Sequence, residues 1–401
     1  MSQGRSITRG RPRLLSLARV GAISLLLLVG LELLARLILA PPKLSDWDWA
    51  EPSPELGWGL KPGFHGQLFS TTRAVDRRGF LVADGPDLHA PASTSVLLLG
   101  DSRTFGNGVP VNDTYAELLE GLLGGTPTVN VAVPGYSSFQ GRRQLELLGE
   151  ELRPAVVVAA FGFNDRRYSI DASVIDSSDA FRTLARRAAV MHGALRLRIV
   201  RLTWDALAAA PAGAQPATDV ERLQPRVSPE QYQRHLAAMA TWCEDRRIRF
   251  LTLWLDDNPE LSTQLDRGIR LMESGDWDAA EHALRDAVEA ENAFSDAARR
   301  ALGRLYRSQD REALAAAVEQ SPRRLVSMAG GYPILASAVY WRATVDGAKA
   351  AGFEVVDARD TLASYPSCFL DFCHFDRVGH QRIAVLLANA LRARTSLQHD
   401  S

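Results

Sequence analysis

Five short stretches of nearly pure hydrocarbon, each followed by a helical pattern, constrain this chain more than any other feature. They are "SVLLLG" (95–100), "TVNVAV" (128–133), "AVVVAAFG" (155–162), "IRFLTLWLD" (248–256) and "FEVVDA" (353–358). A strand apolar at successive positions needs cover on both faces, which a sheet open to water on one side does not give. The intervening segments supply that cover, because "DTYAELLEGLL" (113–123), "FQGRRQLELLGEEL" (139–152), "SPEQYQRHLAAMATWCEDRR" (228–247), "ILASAVYWRATVDGAKAAG" (334–352) and "VGHQRIAVLLANALRAR" (378–394) all read as helices. The third of these opens with Ser228 three residues before Gln231, a capping box. The alternation predicts an α/β fold: a parallel five-stranded sheet with helices on both faces, and a functional site at the carboxyl ends of the strands.

The first forty residues follow a different rule. Arg5, Arg9, Arg11, Arg13 and Arg19 precede "VGAISLLLLVGLELLARLILA" (20–40), a segment of the length needed to cross a hydrocarbon core. Glu32 and Arg36 interrupt it four residues apart, a spacing that lets them pair on one helix face. The arginine cluster favours a cytoplasmic tail over 1–19, a transmembrane helix over 20–40 and everything later outside the cytoplasm. That places the chain in the inner membrane as a single-pass protein with a periplasmic body. A cleaved signal peptide is the competing reading, but Ile38 and Ala40 make a poor cleavage pair and "PPKL" follows.

Residues 41–94, rich in proline, glycine and tryptophan, read as a linker and an irregular lead-in; 95–394 is the main domain and 395–401 a tail. Two segments break the domain's alternation. Residues 166–227 contain helical pieces and then "ALAAAPAGAQPATD", a low-complexity stretch expected to form a mobile lid. Residues 262–325 read as a helical insert. There Gly268, Leu271, Gly275, Ala280, Leu284 and Ala287 fall where a tetratricopeptide repeat places its small and packing residues. Gly303 and Tyr306 restart the pattern. Such an insert could dock a protein partner. With 46 basic and 47 acidic residues, the chain has no global charge surplus pointing to nucleic acid. The three cysteines matter in an oxidising compartment: Cys368 and Cys373 are close enough in sequence for a short-loop disulfide, with two separate thiols the equal alternative, while Cys243 reads as packing.

The chemistry concentrates where strands end. "VLLLGDSRTFGNGV" (96–109) lacks the lysine of a phosphate loop and the third glycine of a dinucleotide fingerprint, so no nucleotide cofactor is expected. It also lacks the G-x-S-x-G elbow. Ser102 at a strand's end can still be a nucleophile if a base and oxyanion donors exist elsewhere. Gly135 follows the second strand, with a backbone N–H free of side-chain obstruction. Asn164 follows the third strand in "FGFNDRR" and offers a neutral donor. Asp371 stands three residues before His374, a spacing that lets a carboxylate hold the ring. A metal site around Cys373, His374, Asp376 and His380 fits no closed zinc spacing, so no metal is expected.

This set resembles the SGNH, or GDSL-type, hydrolase superfamily. Ser102 sits in "GDS", Gly135 in the second block, Gly162 and Asn164 in "GFND", and Asp371 with His374 in the D-x-x-H block. "LGWGLKPG" and "DRRGF" are similar to the lead-in of membrane-anchored bacterial members. The likeness covers 54–165, 226–257 and 332–394. Two departures stand out: Phe375 follows the histidine where proline is common, and the insert is foreign to the minimal domain. The resemblance implies a flavodoxin-like sheet and a serine mechanism. His374, held by Asp371, takes the Ser102 proton, and the oxyanion rests on the Ser102 N–H, the Gly135 N–H and the Asn164 side chain. It implies an esterase acting on acyl esters, with an O-acetylated glycan as the expected substrate. An O-acyltransferase using the same site, or a scaffold that docks a partner through the insert, are the alternatives.

Overall fold

The computed structural model describes residues 11–38, 49–82, 95–169, 176–195, 197–198, 200, 224–289, 295–320 and 337–393. In chain order the elements are α1 (Arg11–Ile38), β1 (Ala50–Ser53), β2 (Gly57–Leu60), β3 (His65–Leu68), β4 (Thr71–Val75), β5 (Leu81–Val82), β6 (Val96–Gly100), α2 (Ser102–Phe105), α3 (Tyr115–Leu122), β7 (Thr128–Asn130), α4 (Ser138–Leu152), β8 (Val156–Ala160), β9 (Tyr168–Ser169), α5 (Ser178–Leu195) and β10 (Gln224–Pro225). There follow α6 (Pro229–Glu244), β11 (Arg249–Trp254), α7 (Pro259–Ser274), α8 (Trp277–Glu289), α9 (Ser295–Ser308), α10 (Glu312–Gln320), α11 (Ser337–Ala351), β12 (Glu354–Asp357), α12 (Arg359–Ala363) and α13 (Arg377–Arg392).

The five apolar runs form one sheet in the order β12-β11-β8-β6-β7, all parallel. Side chains alternate across it. Leu97, Leu99, Val157, Ala159 and Phe250 face Leu145 of α4, Tyr232, Leu236 and Met239 of α6 and Tyr340 of α11. Val96, Leu98, Val158, Ala160, Leu251 and Leu253 face Tyr115 and Leu119 of α3 and Ile383 and Leu387 of α13. The sheet is therefore covered twice, as its composition demands. β7 is shorter than its apolar run, yet the chain continues beside β6, with the Val131 and Val133 N–H groups donating to the Leu98 and Gly100 carbonyls.

The lead-in is not irregular. Residues 49–82 form a hairpin, β1-β2, and a three-stranded antiparallel sheet, β3-β4-β5. Trp49, Leu60, Leu68, Val75 and Phe80 are buried in the same core as α4 and α6. Strands of two to five residues and abundant glycine hid this from a search for long periodic runs. Residues 41–48 and 83–94 of that segment lie outside the described residues, as do 201–223 of the expected lid and the 395–401 tail.

The helical insert is present and starts earlier than expected, at Pro259 rather than 262, running through α7, α8, α9 and α10. Its own core joins Leu265, Ala280, Leu284, Ala301, Leu305 and Tyr306. Gly268 sits where a Cβ would lie 2.5 Å from Leu284 Cγ, so α7 and α8 cross closely because that position has no side chain.

The chain divides into two units, one of 1–47 with 184–217 and the other of 48–183 with 218–401. In the first, Arg19–Ile38 is a 20-residue helical stretch of mean hydropathy 2.1, long and apolar enough to cross a membrane, by length and composition alone. Glu32 and Arg36 pair at 2.8 Å, as their spacing predicts.

Within the second unit, α4 lies unusually close to the sheet. A Cβ on Gly141 would sit 2.1 Å from the Phe161 ring. Gly141→Ala should therefore destabilise the protein by about 2 kcal/mol, although alanine is the better helix former. Urea unfolding checks the sign: stabilisation would mean that the packing argument is wrong.

Candidate active site

The turn after β6 is built to hold a serine rigidly. Asp101 caps α2, accepting from the Arg103 N–H at 2.9 Å, and forms a fully buried ion pair with the Arg103 guanidinium at 3.1 Å. Arg103 also donates to the Leu255 carbonyl at 2.7 Å, which ties the turn to the end of β11. Gly100 has no room for a side chain, because a Cβ would lie 2.0 Å from Thr104 Oγ1. Gly106 closes α2 in the left-handed region, at φ 83°. Ser102 is left at the amino end of α2, 8% exposed.

The D-x-x-H block reaches Ser102 from the opposite end of the sequence. Asp371 Oδ1 accepts from the N–H groups of Cys373 and His374, both at 2.8 Å, which folds the segment into a tight turn. Its other oxygen, Oδ2, lies 2.7 Å from His374 Nδ1, and His374 Nε2 lies 2.8 Å from Ser102 Oγ. With Nδ1–H donating to the carboxylate, Nε2 carries the lone pair that faces the serine hydroxyl. Burial works to raise the Asp371 pKa, but the His374 hydrogen bond and charge, with the two backbone N–H donors, outweigh it and hold the carboxyl below its ordinary range.

The two other predicted residues lie on either side of the serine strand, since β7 and β8 both flank β6. Gly135 adopts φ +86°, a conformation suited to glycine, with Trp58 packed beneath it. Trp58 Nε1 donates to the Pro134 carbonyl at 3.1 Å. In a planar trans peptide, fixing that carbonyl aims the Gly135 N–H the opposite way. Arg226 donates to the Gly135 carbonyl at 2.7 Å and pairs with the buried Asp176, clamping the loop from the far side. After β8, Asn164 is 3% exposed and its Nδ2 has no hydrogen-bond partner. A buried amide donor without a partner is costly, so its position calls for a ligand. Asp165 shapes this loop, accepting from the Gly162 N–H at 3.0 Å and from the Ser138 N–H at 2.9 Å.

Several contributors escaped the sequence reading. Arg73, wholly buried, reaches from β4 to the carbonyls of Gly106 and Val109, and so braces the loop after the serine; burial pushes its pKa down to about 10. The guanidinium groups of Arg103 and Arg166 both pack over the Phe163 ring, at 5.4 and 5.3 Å. Arginines in G-D-S-R and N-D-R-R were the available signal, unread because arginine is abundant here. A second serine, histidine and aspartate also meet, at Ser138, His235 and Asp165. There the hydroxyl donates to the carboxylate at 2.5 Å, and His235 Nδ1 lies 3.0 Å from the hydroxyl. Burial first, then Arg142 and Arg234, push the His235 pKa down to about 4, so the ring is a neutral donor and the trio is wired in the wrong order for a nucleophile.

Cys368 and Cys373 are free buried thiols rather than a disulfide. They serve different cores, Cys368 under the sheet and Cys373 with Phe163 and the insert. Cys373 Sγ is 3.8 Å from His374 Nδ1, and the donor atoms of Asp371, Cys373 and His374 cluster within 4.8 Å. Burial first, then Asp371, push the Cys373 thiol well up, so it stays protonated. His380 is buried and accepts the Tyr115 N–H at 3.2 Å. A cavity of about 910 Å³ lies at the opposite end of the sheet, among the strand starts Val96, Val156 and Arg249, with none of these groups.

Residues 98–277 match the model of the GDSL-like lipase/acylhydrolase family. That match is to a family of lipases and acylhydrolases, and it spans somewhat less than half of the chain. The matched stretch ends before Asp371 and His374, which the fold brings to Ser102. No curated protein matches the chain in sequence. Similar solved structures include the psychrotrophic esterase EstA from Pseudoalteromonas sp., 9% identical, covering 76% of this chain and 100% of its own, with a TM-score of 0.37. The lipase/acylhydrolase from Enterococcus faecalis is 12% identical over 75% of this chain and 96% of its own, with a TM-score of 0.36. A GDSL-like lipase from Bacteroides thetaiotaomicron is 11% identical over 77% and 93%, with a TM-score of 0.34.

The loop beside β8 gives a pH test. Burial raises the Asp165 pKa from 3.8 to about 6, against the opposing hydrogen bonds from Ser138. A raised carboxyl contributes stability that is full below the unfolded value and lost as pH climbs through the folded one. The stability of the wild type relative to Asp165→Asn should therefore fall by about 2 kcal/mol between pH 4 and pH 7. Urea unfolding at several pH values checks this; a difference independent of pH would refute the assignment.

Proposed function

We propose that the GDSL-type domain is the periplasmic body of a membrane-anchored serine esterase, and that it removes O-acyl groups, O-acetyl above all, from a carbohydrate. The observation that carries the mechanism is the unbroken hydrogen-bond chain from Asp371 through His374 to Ser102. In the reading it supports, His374 Nε2 takes the hydroxyl proton as Ser102 Oγ bonds to the ester carbonyl carbon. The carbonyl oxygen becomes an oxyanion, held by the Ser102 N–H, the Gly135 N–H and Asn164 Nδ2. Collapse breaks the ester C–O bond, and His374 returns the proton to the departing sugar oxygen. Water then attacks the acyl-serine, again with His374 as base, and releases the carboxylic acid.

Asn164 is favoured as an oxyanion donor because its amide is buried and unpaired while the carboxylate beside it is fully occupied. Trp58 and Arg226 act as positioning residues for Gly135. The anchor reading takes 20–40 as the membrane helix, 1–19 as the cytoplasmic tail and 95–394 as the domain. Its support is the apolar helix and the basic residues before it. The carbohydrate ester comes from the resemblance to anchored bacterial members.

A short-chain aryl ester is the first substrate to try. Ser102→Ala and His374→Ala should abolish its hydrolysis, and equal turnover by wild type and Ser102→Ala would end the proposal. Asn164→Ala should lower kcat on the order of a hundredfold with little change in KM. Trp58→Phe, which loses one hydrogen bond to Pro134, should cost about tenfold in kcat. Separately, the full chain should sediment with membranes and leave them only with detergent.

A further inference from the structure

A second polar cavity, of about 460 Å³, opens beside the carboxyl end of β11, between α7 of the insert and α11. Its size is within the range of small-molecule sites. Two of its lining side chains are buried and short of a partner. Trp254, 2% exposed, has an indole N–H with no acceptor. Asp266, 7% exposed, has one carboxylate oxygen with no donor, while the other accepts from Ser337 Oγ at 2.8 Å. Burial, then the neighbouring Asp256 carboxylate, push the Asp266 pKa up to about 7, as befits a carboxyl short of donors. Native folds rarely leave such atoms unsatisfied.

The missing partner must both accept from an N–H and donate to a carboxylate. A bare anion would meet Asp256 and Asp266, and a bare metal cation would meet Arg270, Lys349 and Arg359 in the same wall. A hydroxyl meets both demands at once. The cavity also has an aromatic floor: Trp341 lies 5.6 Å from Trp254, ring to ring, and carries the Arg359 guanidinium 3.8 Å above it. Trp254 connects the cavity to the active site, because its six-membered ring backs onto Gly162, where a Cβ would come within 3.2 Å. Gly162 opens the loop that bears Asn164.

We propose that this cavity is a carbohydrate subsite, in which sugar hydroxyls accept from the Trp254 indole N–H and donate to Asp266. It holds a ring of the glycan while another ring presents its ester to Ser102, two strands away in the sheet. The assignment of the sugar as substrate rests on the reading of the enzyme given above; the binding itself does not require Ser102. The insert thus supplies a wall of the substrate site.

The full chain carrying Ser102→Ala, in detergent, is titrated by calorimetry with cellotetraose, chitotetraose and maltotetraose. Saturable binding of at least one is expected, weakened about tenfold or more by Trp254→Phe and by Asp266→Asn, the loss of one hydrogen bond to a charged or buried partner. Asp266→Asn, made in the chain with Ser102 intact, should leave aryl-ester hydrolysis within twofold of wild type. Binding of none of the three sugars overturns the subsite, as does binding that both variants retain, or saturation by glycerol in the same range. Should Asp266→Asn fail to fold by circular dichroism, Trp254→Phe decides alone. Loss of wild-type aryl-ester hydrolysis with sugar binding intact would strike the esterase reading and spare the cavity.

Discussion

The ion pair between Asp101 and Arg103 underlies the geometry of everything at the carboxyl end of the sheet. Both side chains are sealed from water, so removing either would strand the other as a buried charge, a loss of about 3–5 kcal/mol. Between them they cap α2, fix the serine turn and reach the end of β11 through Leu255. This pair fixes the position of Ser102. The His374 ring then has a fixed hydroxyl to meet at 2.8 Å.

Around that fixed point, four loops are braced by residues far from them in sequence. Trp58 holds the Pro134 carbonyl, Arg73 holds the carbonyls after α2, Arg226 holds Gly135, and Asn258 holds the Asp371 carbonyl at 3.3 Å. Each brace donates to a backbone carbonyl. Peptide planes are therefore oriented by side chains, and at Pro134 the plane so fixed aims the Gly135 N–H. A cleft organised in this way can offer backbone donors to a developing negative charge at little reorganisation cost.

The sheet was legible because its inner strands β6, β8 and β11 are apolar on both faces, and the candidate site because three of its blocks fall where strands end and the fourth just before the last helix. What stayed hidden has a physical cause in each case. The strands of 49–82 are too short to show a period, and their burial comes from partners such as Tyr136 and Phe181 that no local pattern reveals. Cys368 and Cys373 looked like a pair by spacing, but the turn sends them into separate cores. The insert's first helix begins at Pro259, a residue well tolerated in a first helical turn, three residues before the expected start. The cavity at Trp254 and Asp266 could not be read at all, since it joins residues from four separate elements.

The hairpin and small sheet of 49–82 follow the apolar helix in sequence and precede the serine by only twenty residues. Because Trp58 and Arg73 belong to that stretch, the same chain severed at two places would have two fates. Cut before residue 49, it would release a domain with its braces attached. Cut between 82 and 95, it would shed a body that keeps Ser102, His374 and Asp371 but has lost the supports beneath Gly135 and Val109. A cut at the second place would part the serine, histidine and aspartate from their braces without touching any of the three.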